Sequence, residues 1–78
     1  MIVVQVSVRA KPGHADQLEQ VLREVVNEAR QLKGCMRYEW YRSPDVERGV
    51  FVYAEFDSEE AFGDYRRGPV VKKIGEQL

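Results

Sequence analysis

The sequence predicts an α+β domain whose elements follow the order β-α-β-β-α. Three observations predict it. Residues 2–9, 36–42 and 50–56 alternate along the chain and are rich in β-branched and aromatic residues, the pattern of strands. After the first of these runs, and again after the last, apolar residues recur at three- and four-residue spacing, the period of a helix facing a core. Proline and glycine mark the changes of period, at Lys11-Pro12-Gly13, Gly34, Ser43-Pro44-Asp45 and Gly68-Pro69. The 78 residues form one domain, spanning 1–78.

The first strand carries Ile2, Val4, Val6 and Val8 on one face and Val3, Gln5, Ser7 and Arg9 on the other. The apolar face is suited to pack on helices and the mixed face to meet something partly polar. From His14 to Lys33 the stripe Ala15, Leu18, Leu22, Val25, Ala29 and Leu32 predicts an amphipathic helix of about five turns, with Gly34 as its C-terminal cap. The second strand sets Met36, Tyr38 and Trp40 against Arg37, Glu39 and Tyr41. The third sets Val50, Val52, Ala54 and Phe56 against Phe51, Tyr53 and Glu55. Asp57 or Ser58 can cap the next helix, with Glu60 at capping-box spacing from Asp57. Ala61, Phe62 and Tyr65 form its stripe, which resumes after Gly68-Pro69 with Val70, Val71, Ile74 and Leu78. This is the ferredoxin-like split βαβ order with the usual fourth strand absent or truncated. The first strand then keeps an open edge, which invites association.

A domain below roughly 70–80 residues usually needs a disulfide, a metal or a partner chain to supplement its core. Cys35 is the only cysteine and His14 the only histidine, so neither a disulfide nor a metal site built on paired cysteines or histidines is available within the chain. A homodimer follows as the expected state. Twelve basic and 13 acidic residues leave no cationic excess for phosphate binding, so no nucleic-acid partner is expected. No apolar run reaches the length of a membrane span of roughly 18 residues, and the valine-rich start lacks a basic n-region, so a membrane partner is not expected either. A single free thiol fits the cytoplasm.

Four motifs resemble those of the antibiotic biosynthesis monooxygenase family, and the likeness covers the whole chain. They are the Lys-Pro-Gly before the first helix, Gly34-Cys35-Met36-Arg37-Tyr38, Tyr53-Ala54-Glu55-Phe56, and the Gly68-Pro69-Val70 break. The resemblance implies a dimeric α/β barrel. The family includes cofactor-independent oxygenases acting on polycyclic phenols, haem-degrading enzymes and an autoinducer-2 isomerase group. Many relatives carry histidines where this chain has Tyr65 and Val70. At the asparagine, tryptophan and axial histidine of haem-degrading members it has Val6 or Ser7, Tyr65 and Gly75. The resemblance therefore implies no haem and no other cofactor.

What the resemblance implies as function is cofactor-free oxygenation of a small phenolic or quinol-like compound, which needs a base, an anion stabiliser and a dry cavity. Glu55 is the candidate base and Tyr65 its catalytic partner, with Tyr38, Trp40, Tyr53, Phe62 and Arg66 as the residues that would hold a small aromatic ligand. The same rings also suit a plain core, and Glu55 suits a strand carboxylate paired with an arginine. A non-catalytic dimeric module that binds a hydrophobic molecule, or a structural pairing unit, therefore stands beside the enzyme. Cys35 reads as a small buried hydrophobe rather than a nucleophile, and His14 as an exposed residue of the first helical turn.

Overall fold

The element that organises the molecule is the strand Gly49–Phe56, which lies in the middle of a three-stranded antiparallel sheet of order β1-β3-β2. The computed structural model describes residues 1–78. It contains β1 (Ile2–Arg9), α1 (Ala15–Arg30), β2 (Cys35–Arg42), β3 (Gly49–Phe56), α2 (Glu59–Arg66) and α3 (Pro69–Gly75). Register fixes the faces. Val4 lies opposite Ala54, Val6 opposite Val52 and Val8 opposite Val50, while Tyr38 and Trp40 lie opposite Ala54 and Val52 from the other side. Facing partners share a side of an antiparallel sheet, so these residues all line the helix face.

Leu18, Leu22, Val25 and Ala29 of α1 are buried against that face together with Tyr38, Val50, Val52, Ala54 and Phe56. Ala61, Tyr65, Val70 and Ile74 complete the core from α2 and α3. All three helices thus lie on one side. The other face carries Val3, Gln5, Ser7 and Arg9, then Arg37, Glu39 and Tyr41, then Phe51, Tyr53 and Glu55, with no helix upon it.

Three local features differ from the sequence reading. The first helix stops at Arg30, because Gln31, Leu32 and Cys35 donate backbone hydrogen bonds three residues back, to Glu28, Ala29 and Leu32. Those tighter turns reverse the chain into β2 within a few residues. Gly34 takes φ +84 there, and a side chain would lie 2.5 Å from Ala61 Cβ, so glycine is required twice over. Met36 does not share a face with Tyr38, because a register irregularity between Cys35 and Arg37 turns it outward, 60% exposed. The second helical region is two helices. Ser58 caps α2, its hydroxyl accepting from the Ala61 amide at 3.2 Å, and Pro69 opens α3 at a position where a missing N–H costs nothing.

Candidate functional site

The sheet separates the seven candidate residues into two groups. Tyr38, Trp40, Phe62, Tyr65 and Arg66 belong to the helix side, whereas Tyr53 and Glu55 lie on the uncovered face. Glu55 and Tyr65 therefore cannot act on one substrate within a single chain. The alternation of β3 puts Glu55 on the face opposite Phe56, so the sheet itself lies between Glu55 and Tyr65.

On the helix side the rings form a continuous stack. Tyr65 meets Tyr38 edge-on at 5.7 Å between centroids and Phe56 at 5.0 Å, and Phe62 extends the row from Phe56 at 5.9 Å. The buried hydroxyls of Tyr38 and Tyr65 hydrogen-bond each other at 2.9 Å. Burial pushes the ionisation of both up; the shared hydrogen bond raises Tyr38 further and partly offsets the rise of Tyr65. Neither is a phenolate at neutral pH, so neither can serve as a ready base. Two hydroxyls that share one hydrogen bond leave one O–H hydrogen over. That hydrogen belongs to Tyr65 whenever Tyr38 is the donor.

Beside this stack lies an apolar groove of about 290 Å³ between the open edge of β1 and the helices α2 and α3. Val4, Val6, Val8 and Val52 floor it, and Val71, Ile74, Leu78, Phe62 and Tyr65 wall it. Arg66 is the only charged side chain in its lining, with its guanidinium over the Phe62 ring at 5.8 Å. Three of the seven candidates, Phe62, Tyr65 and Arg66, thus border it; Tyr38 lies behind Tyr65, and Trp40 sits on the β2 side of the sheet. The valines and Leu78 were read in sequence only as core residues. Nothing local distinguishes an apolar residue that walls a groove from one that fills a core.

The uncovered face bears a second polar group. Tyr53 donates to Glu55 at 2.5 Å, Tyr41 donates to Glu39, and Arg37 pairs with Glu39 at 3.1 Å. Each hydrogen bond to a carboxylate raises the ionisation of its tyrosine. These bonds join residues two apart on one strand, so Glu55 is explained as the same-face neighbour of Tyr53 on the sheet surface. A further hollow of about 340 Å³ beneath the β2–β3 loop is crossed by the Arg42–Glu19 bridge, both bonds 2.7 Å, and has a mixed polar lining.

The remaining reactive residues are accounted for. Cys35 is half-buried, its thiol donating to the Arg37 carbonyl at 3.7 Å, and burial pushes its ionisation up, which disfavours a nucleophilic role. His14 is half-buried, not exposed, just before α1, and its Nδ1 lies 3.2 Å from Gln77 Oε1, which ties the start of α1 to the chain's end. No group of three or more His, Cys, Asp or Glu residues is arranged to hold a metal ion, and no helix is long and apolar enough to cross a membrane.

Comparison with known proteins agrees with this architecture. The family model described as antibiotic biosynthesis monooxygenase matches residues 1–77. No curated protein matches the chain. Among solved structures, a candidate antibiotic biosynthesis monooxygenase from Deinococcus radiodurans superposes with TM-score 0.85 at 22% identity, over 97% of this chain and 76% of that one. A protein from Shewanella oneidensis gives TM-score 0.83 at 27% identity, over 96% and 73%. A Bacteroides thetaiotaomicron protein of unknown function, described as a possible oxidoreductase, gives 0.81 at 15% identity, over 96% and 84%.

Proposed function

This chain belongs to the antibiotic biosynthesis monooxygenase family, and from that membership we propose that it is a cofactor-independent monooxygenase acting on a small phenolic or quinol-like compound. The observation that carries the reading is the apolar groove with Tyr65 in its wall and Arg66 as its single charge. Pockets for small organic molecules combine apolar walls with few polar groups that fix orientation. A flat ring would lie along Val4, Val6 and Val8 against Phe62 and Tyr65, its oxygen toward Arg66.

The reaction needs no electrons from outside the substrate. An ionised phenol passes an electron to dioxygen, the two radicals combine at a ring carbon bearing hydrogen, and the resulting hydroperoxide loses water. One oxygen atom stays as the new quinone carbonyl. The other leaves as water with the hydrogens of the ring C–H and the phenol. Arg66 and a Tyr65 hydroxyl would stabilise the anion, and the valine wall would keep water from the intermediates. Glu55 has no part in this scheme, since it faces away from the groove. The working unit is a homodimer paired through the uncovered sheet face, and the single free thiol suits a cytoplasmic setting.

A second reading is favoured by one observation: the groove lining holds no carboxylate or imidazole to act as a base. On that reading the protein is a non-catalytic dimeric module that binds a small hydrophobic molecule. Oxygen-electrode assays with naphthols and hydroquinones separate the two. The monooxygenase reading expects one dioxygen consumed per quinone formed, lost in Val71→Trp, which fills the groove, and kept in Glu55→Gln. Saturable binding with no oxygen uptake would establish the binding module instead.

A further inference from the structure

We propose that the groove selects its ligand already ionised: an acidic phenol bound as the phenolate, with its oxygen at Arg66 and its ring along the valines of β1. The inference rests on the groove as the substrate site and narrows the class of substrate. An ordinary phenol has to be deprotonated before it can reduce oxygen, and a side chain able to take that proton is missing from the groove. β1, β3 and α3 contribute only apolar side chains and Gly75 to the lining, and Tyr65 is its one titratable group besides Arg66. Burial keeps Tyr65 protonated, and with Tyr38 donating to it the Tyr65 O–H is free to donate to an anion but cannot take a proton from a neutral phenol.

What the groove does supply is an uncompensated cation. Arg67, the next residue, pairs with Asp64 at 3.1 Å, and Lys73 of α3 pairs with Glu28 at 3.1 Å. The Arg66 guanidinium has no carboxylate within 4.0 Å and no hydrogen-bond partner, and its placement is set by stacking on Phe62. An opposite charge within about 4–6 Å favours an ionised group by roughly one to three pH units, and the exposed position of Arg66 puts its effect at the lower end. Selection of the anion thus takes the place of a catalytic base. Substrates that fit are phenols that ionise near neutral pH because the anion is delocalised over a fused ring system, which leaves it electron-rich enough to reduce dioxygen, and that carry no other charge.

4-Nitrophenol tests this directly, because its phenolate absorbs in the visible and its ionisation can be followed while it is bound. With the protein in saturating excess, the midpoint of its titration is expected about one pH unit below that of the free compound, a tenfold preference for the anion. Arg66→Gln should abolish the shift and Arg66→Lys restore part of it, with thermal unfolding unchanged in both. A midpoint at or above the free value, a shift retained in Arg66→Gln, or no saturable binding would overturn the proposal. Its failure is distinct from that of the monooxygenase reading. Anion-selective binding without oxygen uptake from any phenol sinks only the latter, whereas oxygen uptake indifferent to the ionisation of the phenol sinks only the former.

Discussion

At the scale of single residues the Tyr38–Tyr65 pair shows how one contact serves both folding and the groove. Each ring fills core volume, and each hydroxyl is tolerated in the interior because the other satisfies it. Removing one hydroxyl leaves its partner buried with no acceptor or donor, a loss of about 1–3 kcal/mol, whereas removing both leaves two well-packed phenylalanines. Tyr38→Phe and Tyr65→Phe should therefore each destabilise, and the double variant should cost clearly less than their sum. Urea unfolding of the four proteins measures the coupling, and additive losses would show that the hydroxyls do not depend on each other. Of the rings read in sequence, these two were recognisable as partly polar residues needing a partner. That they partner each other is a matter of the α2 crossing above β2, which the local pattern does not contain.

At the scale of elements the turn from α1 into β2 carries the strictest requirement. Gly34 combines a left-handed backbone with close approach to Ala61 and Asp57, and its carbonyl accepts from the Asp57 amide at 2.8 Å. The start of β2 is thereby pinned to the start of α2, two segments distant in sequence. Gly34→Ala is expected to destabilise by about 2–5 kcal/mol, summing the left-handed strain and the overpacking. The denaturant midpoint should fall with little change in slope. A variant as stable as the parent would mean that α2 can move aside without loss. Glycine at this position was legible as a helix terminator. Its second duty, leaving room for α2, could not be read, because nothing in the sequence says which helix passes over it.

At the scale of the whole molecule the decisive feature is asymmetry. The shortest dimension is 17 Å, the thickness of one sheet with one layer of helices, and the other side of the sheet is bare. Val3 and Tyr41 are 48% and 52% exposed there, beside Phe51 and the Tyr53–Glu55 pair. Such a mixed apolar and hydrogen-bonded surface suits pairing with a second copy of itself more than contact with water. Light scattering at micromolar concentration should give the mass of a dimer, and Phe51→Glu, which sets a new carboxylate beside the existing ones, should shift it toward monomer. A monomeric parent protein would remove the open face as a pairing surface and with it the stabilisation expected of so small a domain.

The sequence by itself determined the periods, and hence the elements. Alternation specified the three strands and their two faces, the three- and four-residue spacing specified the helices, and Pro12, Gly34, Gly68 and Pro69 specified the breaks, because each of these is a local consequence of backbone geometry. Even the separation of Glu55 from Phe56 was written there. Only the tertiary structure decided which distant residues meet. The Arg66 side chain is set by stacking on Phe62 within its own helix, but its place at the mouth of a valine groove depends on α2 and α3 lying along the edge of β1. Periodicity fixes the direction in which a side chain points relative to its own element. It carries no information on what lies opposite, and a site made from β1, β3, α2 and α3 exists only once those elements have packed.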